Sequence, residues 1–251
     1  MLPVRLGGVR KLLWMVALAA PLAAQGPERD AFGDDARPAL PTITFTFELP
    51  GSIPSRYAVV VESSGRARYR SDAPLDEAVH GGASNAAARD TAEFTTDFTV
   101  SEAARERVFK LAEQLRYFQG NWNYDKGRIA NMGRKTLTYA DSGRRHQTTY
   151  NWSQNPQVEE LTRLFQGLSN TLEFRRRLEV QYRFDKLGLD GVLKQMEQAA
   201  KDNSLMELQV AEAVLRRIAA DRSVMHVARL RAERLLARMA ESGLGEDRQN
   251  K

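Results

Sequence analysis

The sequence predicts an α+β fold: an antiparallel sheet of hairpins packed with two helices and followed by an all-α helical array. Three observations carry this. In the first two thirds of the chain, apolar and polar residues alternate in short runs. Those runs are divided by turns containing Gly, Asp and Ser. From about Ser169 onward, apolar residues recur every three or four positions within charged sequence.

The chain has 251 residues, with 42% hydrophobic and 27% charged content, the composition of a globular protein. Its first 24 residues stand apart: Arg5, Arg10 and Lys11 precede thirteen uncharged residues, LLWMVALAAPLAA, ending in small side chains. That is the layout of a secretory signal peptide, with cleavage expected near Ala24 and the mature protein periplasmic or secreted. An uncleaved anchor is the alternative, but thirteen helical residues cover only about 20 Å of a hydrocarbon core ~30 Å thick. No later stretch approaches a membrane span, so no transmembrane segment is expected in the mature chain.

Residues 25–41, rich in Gly, Pro and charge, read as a flexible lead. In TITFTFELP, Ile43, Phe45, Phe47 and Leu49 alternate with Thr44, Thr46 and Glu48, the period of a strand with one buried face. Next, Tyr57, Val59 and Val61 face Ala67 and Tyr69 across Ser63, Ser64 and Gly65, which predicts a hairpin. The stretch DAPLDEAVHGGASNAAARD reads as a loop, and EFTTDFTV as a further strand. Ser101 then caps a helix carrying Val108, Leu111, Ala112, Leu115 and Phe118.

A linker, QGNWNYDKGRIANMG, leads into GRKTLTYADSGRRHQTTYNW. Here Leu137 and Tyr139, a turn at Asp141 to Gly143, and then His146, Thr148, Tyr150 and Trp152 predict a second hairpin. Asn155 and Pro156 open a helix with Val158, Leu161, Leu164, Phe165 and Leu168 on one face. The α+β domain is thus placed at 42–168, the helical region at 169–243 and a disordered tail at 244–251. Within the helical region the sequence predicts one helix after Asp190, one opened by a capping box from Ser204 to Glu207, and one from near Ser223. The segment after Ser169 has neither Pro nor Gly until Gly188. It should therefore continue the helix begun at Pro156, with at most a kink near Gly167.

YAVVVESSGRARY, a helix ending in LRYF, KTLTY with its polar return, and NPQVEELTRLFQGL together resemble an uncharacterised domain family of exported bacterial proteins over roughly residues 56–172. The resemblance implies export and a hairpin, helix, hairpin, helix order; the family carries no established activity.

Charge narrows the partners. Removing the leader's three cations leaves 34 Lys and Arg against 32 Asp and Glu, so the near-neutral mature chain is not built for an acidic polymer. The cluster Arg134, Lys135, Arg144, Arg145 and His146 in the second hairpin is the sole basic candidate, and no nucleic-acid partner is expected. With no cysteine and three dispersed histidines, His80, His146 and His226, there is no metal-ligand spacing. No phosphate loop, G-x-S-x-G elbow or S-x-x-K element is present, and no cofactor is expected. Whether two carboxylates converge in a cleft is open.

Aromatic residues are the remaining signal. Tyr117, Phe118, Trp122, Tyr124, Tyr139, Tyr150 and Trp152 lie close in sequence, several beside Asn121, Asn123 and Asn151. Alternating positions on hairpins belong to a core, whereas Trp122 and Tyr124 sit in a loop. The binding candidates are Trp122, Tyr124, Trp152 and His146. The expected function is a non-catalytic binding or interaction module of the bacterial cell envelope, its partner an unidentified envelope protein or polymer. The alternative is a hydrolase acting on an envelope polymer.

Overall fold

The computed structural model describes residues 40–72 and 93–249, with side chains through 240. The predicted leader, most of the lead, the loop carrying His80 and the extreme C-terminus lie outside these residues.

Six strands form one antiparallel sheet: β1 Thr42–Glu48, β2 Arg56–Glu62, β3 Arg66–Ser71, β4 Phe94–Thr99, β5 Arg134–Ala140 and β6 Arg145–Tyr150. Their order is β4-β3-β2-β1-β5-β6. β1, the strand with the strongest alternation, sits between the two hairpins; Phe45 pairs with Val59 on one side and Leu137 on the other. This register puts Ile43, Phe45, Val59, Tyr69, Leu137 and Tyr150 on one face, and all are buried.

Two helices cover that face. α1, Glu102–Gln114, is capped by Ser101, whose hydroxyl accepts the Ala104 N–H, and buries Val108, Leu111 and Ala112. α2, Pro156–Phe184, begins at Asn155, whose side chain accepts the N–H groups of Gln157 and Val158, with Pro156 in the first turn. It runs unbroken past Gly167 and crosses the strands in order. Thr162 bonds Tyr150 on β6, Phe165 stacks on Phe45 of β1 at 5.1 Å, Ser169 bonds Tyr69 on β3, and Arg176 lies over Phe94 of β4. The dimensions agree with a near-perpendicular crossing. From Thr162 to Arg176 the helix rises about 21 Å, and five strand spacings make about 24 Å.

The last turns of α2 therefore overhang the β4 edge, and a second core gathers around them. α3 Leu189–Lys201, α4 Glu212–Ala220 and α5 His226–Gln249 complete it. Leu178 of α2 is buried there with Leu193, Met196, Leu215, Ile218, Ala228 and Leu235. α5 continues helical through residues 244–249, where the sequence predicts a tail. Among the described residues no helix is long and apolar enough to cross a membrane.

Three local expectations shift. The strand predicted to reach Trp152 ends at Tyr150. The helix predicted near Ser223 begins at His226, because Asp221 Oδ1 accepts both the N–H and the hydroxyl of Ser223 and turns the chain first. The capping box at Ser204 to Glu207 opens no helix. Ser204 instead bonds the Ala199 carbonyl at the end of α3, Glu207 takes a left-handed backbone (φ 55°), and a short 3-10 turn, Leu208–Ala211, precedes α4.

Candidate functional site

The predicted binding residues all lie along β6, which forms one edge of the sheet. What brings the linker to that edge is the end of α1. After Leu115, three consecutive residues, Arg116, Tyr117 and Phe118, have φ of 52°, 55° and 69°. A left-handed backbone costs L-residues about 1–2 kcal/mol each. The turn drives Phe118 into the core beside Leu115, both fully buried, a gain of about 1.5–3 kcal/mol for a large side chain. The strain is thus offset in part by packing.

The same turn lays Tyr117 against Tyr139, ring centroids 4.5 Å apart, and the Arg144 guanidinium caps both rings at 4.6 and 5.6 Å. Arg144 is fixed from behind by Asp141, which accepts its Nε and Nη2 at 3.0 and 2.8 Å. The other oxygen of Asp141 accepts the backbone N–H groups of Gly143 and Arg144. These donors, the Gly143 N–H foremost and then the Arg144 side chain, hold the Asp141 carboxyl down at about 2. Burial, and then the bond to Asp141, push the Tyr139 phenol above its ordinary value.

From Phe118 the chain follows β6 from one end to the other. Gln119 starts it, its side-chain amide nitrogen 3.0 Å from His146 Nε2. The linker ends its run at Tyr124, whose N–H donates to the Trp152 carbonyl at 2.8 Å. Between them Asn121 Oδ1 accepts the Asn123 N–H, and Asn123 Oδ1 accepts the Asn151 N–H. The linker is thus fastened to the β6 edge near its start, at His146, and just past its end, at Asn151 and Trp152. Tyr124 and Trp152 meet edge-to-face at 5.1 Å and are half-buried. Trp122 is also half-buried, packed on the first core, and its indole N–H is buried without an acceptor.

So Tyr124 and Trp152 come together, Trp122 lies in the segment between them and His146, and His146 is six residues up the edge, about 20 Å for an extended chain. The four do not form one pocket; they form a strip. Sequence reasoning missed the Tyr117, Tyr139 and Arg144 stack at the upper end of that strip. The sequence placed Tyr117 and Tyr139 among the clustered aromatics and Arg144 in the basic cluster, with nothing to bring the three together.

The basic cluster dissolves. Lys135 is buried, its ammonium donating to the carbonyls of Met132, Gly133 and Asn151 at 2.9, 3.2 and 2.7 Å, and burial lowers its pKa. Arg144 is committed to Asp141 and the tyrosines. Arg134 and Arg145 are exposed at opposite ends of their strands, too few for a phosphate-tracking stripe.

Elsewhere, Glu173 Oε1 accepts the hydroxyls of Tyr69 and Ser71 at 2.8 and 2.6 Å, with Ser169 bonded to Tyr69 at 2.9 Å. Burial and then Glu173 raise the Tyr69 phenol far above its usual value, the opposite of an activated nucleophile. Tyr69, Ser71 and Ser169 are all sealed from solvent, so this network ties α2 to the sheet. A cavity between α1, α2 and Met206 is about 50 Å³ and apolar, well below the roughly 300 Å³ at which ligand pockets begin. Among the described residues no group of three His, Asp or Glu is placed to hold a metal ion. Comparison with protein-family models and with curated proteins returns no match.

Proposed function

We propose that this chain is an exported, non-catalytic binding module of the bacterial cell envelope, working in the periplasm or outside the cell, and that it recognises an extended envelope polymer along β6. The observation that carries the reading is the Tyr124–Trp152 pair, two half-buried rings held by the Tyr124 N–H to Trp152 carbonyl bond. Ring faces fixed in this way attract the weakly positive C–H faces of sugar rings, and flanking amides suit hydroxyl groups. A strip of such groups fits a strand-like ligand better than a compact one. Support for export comes from the basic, apolar and small-residue order of the first 24 residues.

The rival, a hydrolase acting on an envelope polymer, is favoured by one feature. The three-residue left-handed turn at Arg116–Phe118 lies beside His146, and such strain collects at active sites. Against it, His146 Nε2 is engaged by an amide, whereas a base that activates a nucleophile faces a hydroxyl or water.

Retention of the protein on purified insoluble envelope polysaccharide separates the readings. The wild-type chain should be retained, and a Tyr124→Ala/Trp152→Ala variant with an unchanged circular dichroism spectrum should lose at least about thirtyfold in affinity, given ~1–3 kcal/mol for each of the two aromatic stacking contacts. Equal retention of the two proteins would overturn the binding strip. Release of soluble reducing ends, abolished in His146→Ala, would establish the hydrolase instead.

A further inference from the structure

The turn joining α2 to α3 is built inside out. Its two large apolar side chains, Phe184 and Leu187, are 69% and 74% exposed, while its polar residues face the protein. Lys186 donates to Asp221 Oδ2 and to the Ser223 hydroxyl, both at 2.7 Å; Tyr182 donates to the same Asp221 oxygen at 3.0 Å. Asp185 Oδ1 accepts the Gly188 N–H, and a Cβ on Gly188 would lie 2.3 Å from Gln181 Oε1, so the turn is pressed close to the end of α2. Nothing here is loose, and the exposure of Phe184 and Leu187 is a fixed feature of the fold.

These bonds also set what lies beside them. Lys186 reaches Ser223, and Asp190 accepts Arg231 Nε at 2.7 Å, so residues 186–190 run against the start of α5. That start exposes three more apolar side chains, Met225, Val227 and Leu230. Around them the charge is positive. Arg183 stacks on the Phe184 ring at 5.2 Å, and Arg222 is exposed just before α5. Of the acids nearby, Asp221 is paired with Lys186, and Asp185 keeps its charge while accepting the Gly188 N–H, so Arg183 and Arg222 leave one net positive charge.

We propose that this end of the helical region docks on an anionic lipid surface, with Phe184 and Leu187 entering the interface and Arg183 and Arg222 at headgroup level. The charge selects this occupant over a protein groove. Long cationic side chains beside apolar tips suit an interface where the tip enters hydrocarbon and the guanidinium remains with phosphate. The pre-set turn binds without an ordering cost. This surface is separate from the β6 strip, and the inference does not depend on the polymer reading.

The test exploits the absence of cysteine from the chain. In the full-length protein, Leu187→Cys carrying a nitrobenzoxadiazole probe is mixed with vesicles of phosphatidylcholine alone or with phosphatidylglycerol added. Gln147→Cys on β6, labelled identically, is the control. The expected result is a blue-shifted, brighter emission at 187 with the anionic vesicles only, and none at 147. Adding Phe184→Asp should weaken binding on the order of tenfold, from the lost apolar insertion, and Arg183→Gln/Arg222→Gln about fivefold per charge. No change at 187, equal change at both sites, or equal response to neutral vesicles would overturn the proposal. A shift that grows with protein concentration without vesicles would overturn it in favour of a second copy of the chain.

Discussion

The carboxylate of Glu207 holds both the backbone N–H and the hydroxyl of Ser101, at 2.5 and 2.9 Å, across 106 positions of sequence. Ser101 is the N-cap of α1 and gives its own hydroxyl oxygen to the Ala104 N–H. In a capping box the residue at Ala104's place would be Glu or Gln, returning a bond to the cap N–H. Alanine has nothing to return, and Glu207 supplies that bond from the helical region. One contact thus completes a helix start and fastens the second core to the first.

The first prediction is energetic coupling between these two residues. Ser101→Ala should destabilise by about 1 kcal/mol, as for a lost cap, and Glu207→Gln by about 1.5–3 kcal/mol, as for a lost charged hydrogen bond. The double variant should cost less than the two together by at least ~0.5 kcal/mol. Urea unfolding of the four proteins measures this. Strict additivity would show that the contact has no weight in solution.

The same pair shows what was legible in the sequence. Ser204 to Glu207 has the spacing of a capping box, and the residue type was read correctly, yet the acid caps a helix elsewhere because tertiary packing outweighs local preference. At Gly167 the sequence allowed at most a kink, and α2 is continuous as expected; what the sequence did not show is why a glycine stands there, where a Cβ would lie 2.7 Å from Met206 Cγ. The strands were legible because each buries one full face: β1 alternates strictly from Ile43 to Glu48, and β2 and β5 keep that face although Ala58 and Thr138 on the other are also buried. The site was read less well. Trp122, Tyr124 and Trp152 stood out by composition, but the Tyr117 stack depends on three left-handed residues with no glycine to announce them, and Lys135 looked like surface until three carbonyls closed over it.

The second prediction concerns acid. The Asp141 carboxyl is depressed to about 2, first by the Gly143 N–H and then by Arg144, against ~3.9 in an unfolded chain. A carboxyl depressed on folding contributes stability that is present above the unfolded value and is lost as pH falls through the folded one. The hairpin turn should keep this support in full down to about pH 4 and lose it progressively as pH falls from there to about 2. The amide signals of Gly143 and Arg144, followed by NMR, should titrate with a midpoint near 2 and become flat in Asp141→Asn. A midpoint near the unfolded value would mean that the Asp141 bonds do not persist in solution.

The third prediction separates the two cores. Leu172 is buried in the first and Leu178 in the second, so α2 belongs to both, and the clamps at Ser101 and at Thr171, whose hydroxyl donates to the Met206 carbonyl at 2.6 Å, join them. Leu215 lies at 0% exposure in the second core only. Leu215→Ala should cost about 2–5 kcal/mol, and Leu215→Asp more, because a carboxylate there has no partner. Two spectroscopic signals distinguish the regions: the tryptophans beyond the leader, Trp122 and Trp152, both sit at the β6 edge, whereas most helix lies in the other region. In Leu215→Asp, helical circular dichroism should fall while tryptophan emission stays native and unfolds at its own urea midpoint. The hairpins keep their own core of Phe45, Phe165 and Leu137, with the α2 cap at Asn155 intact. If emission and helicity were lost together, the Glu207 and Thr171 clamps would bind the two cores into one cooperative unit, and no part of the chain could be treated as an independent module.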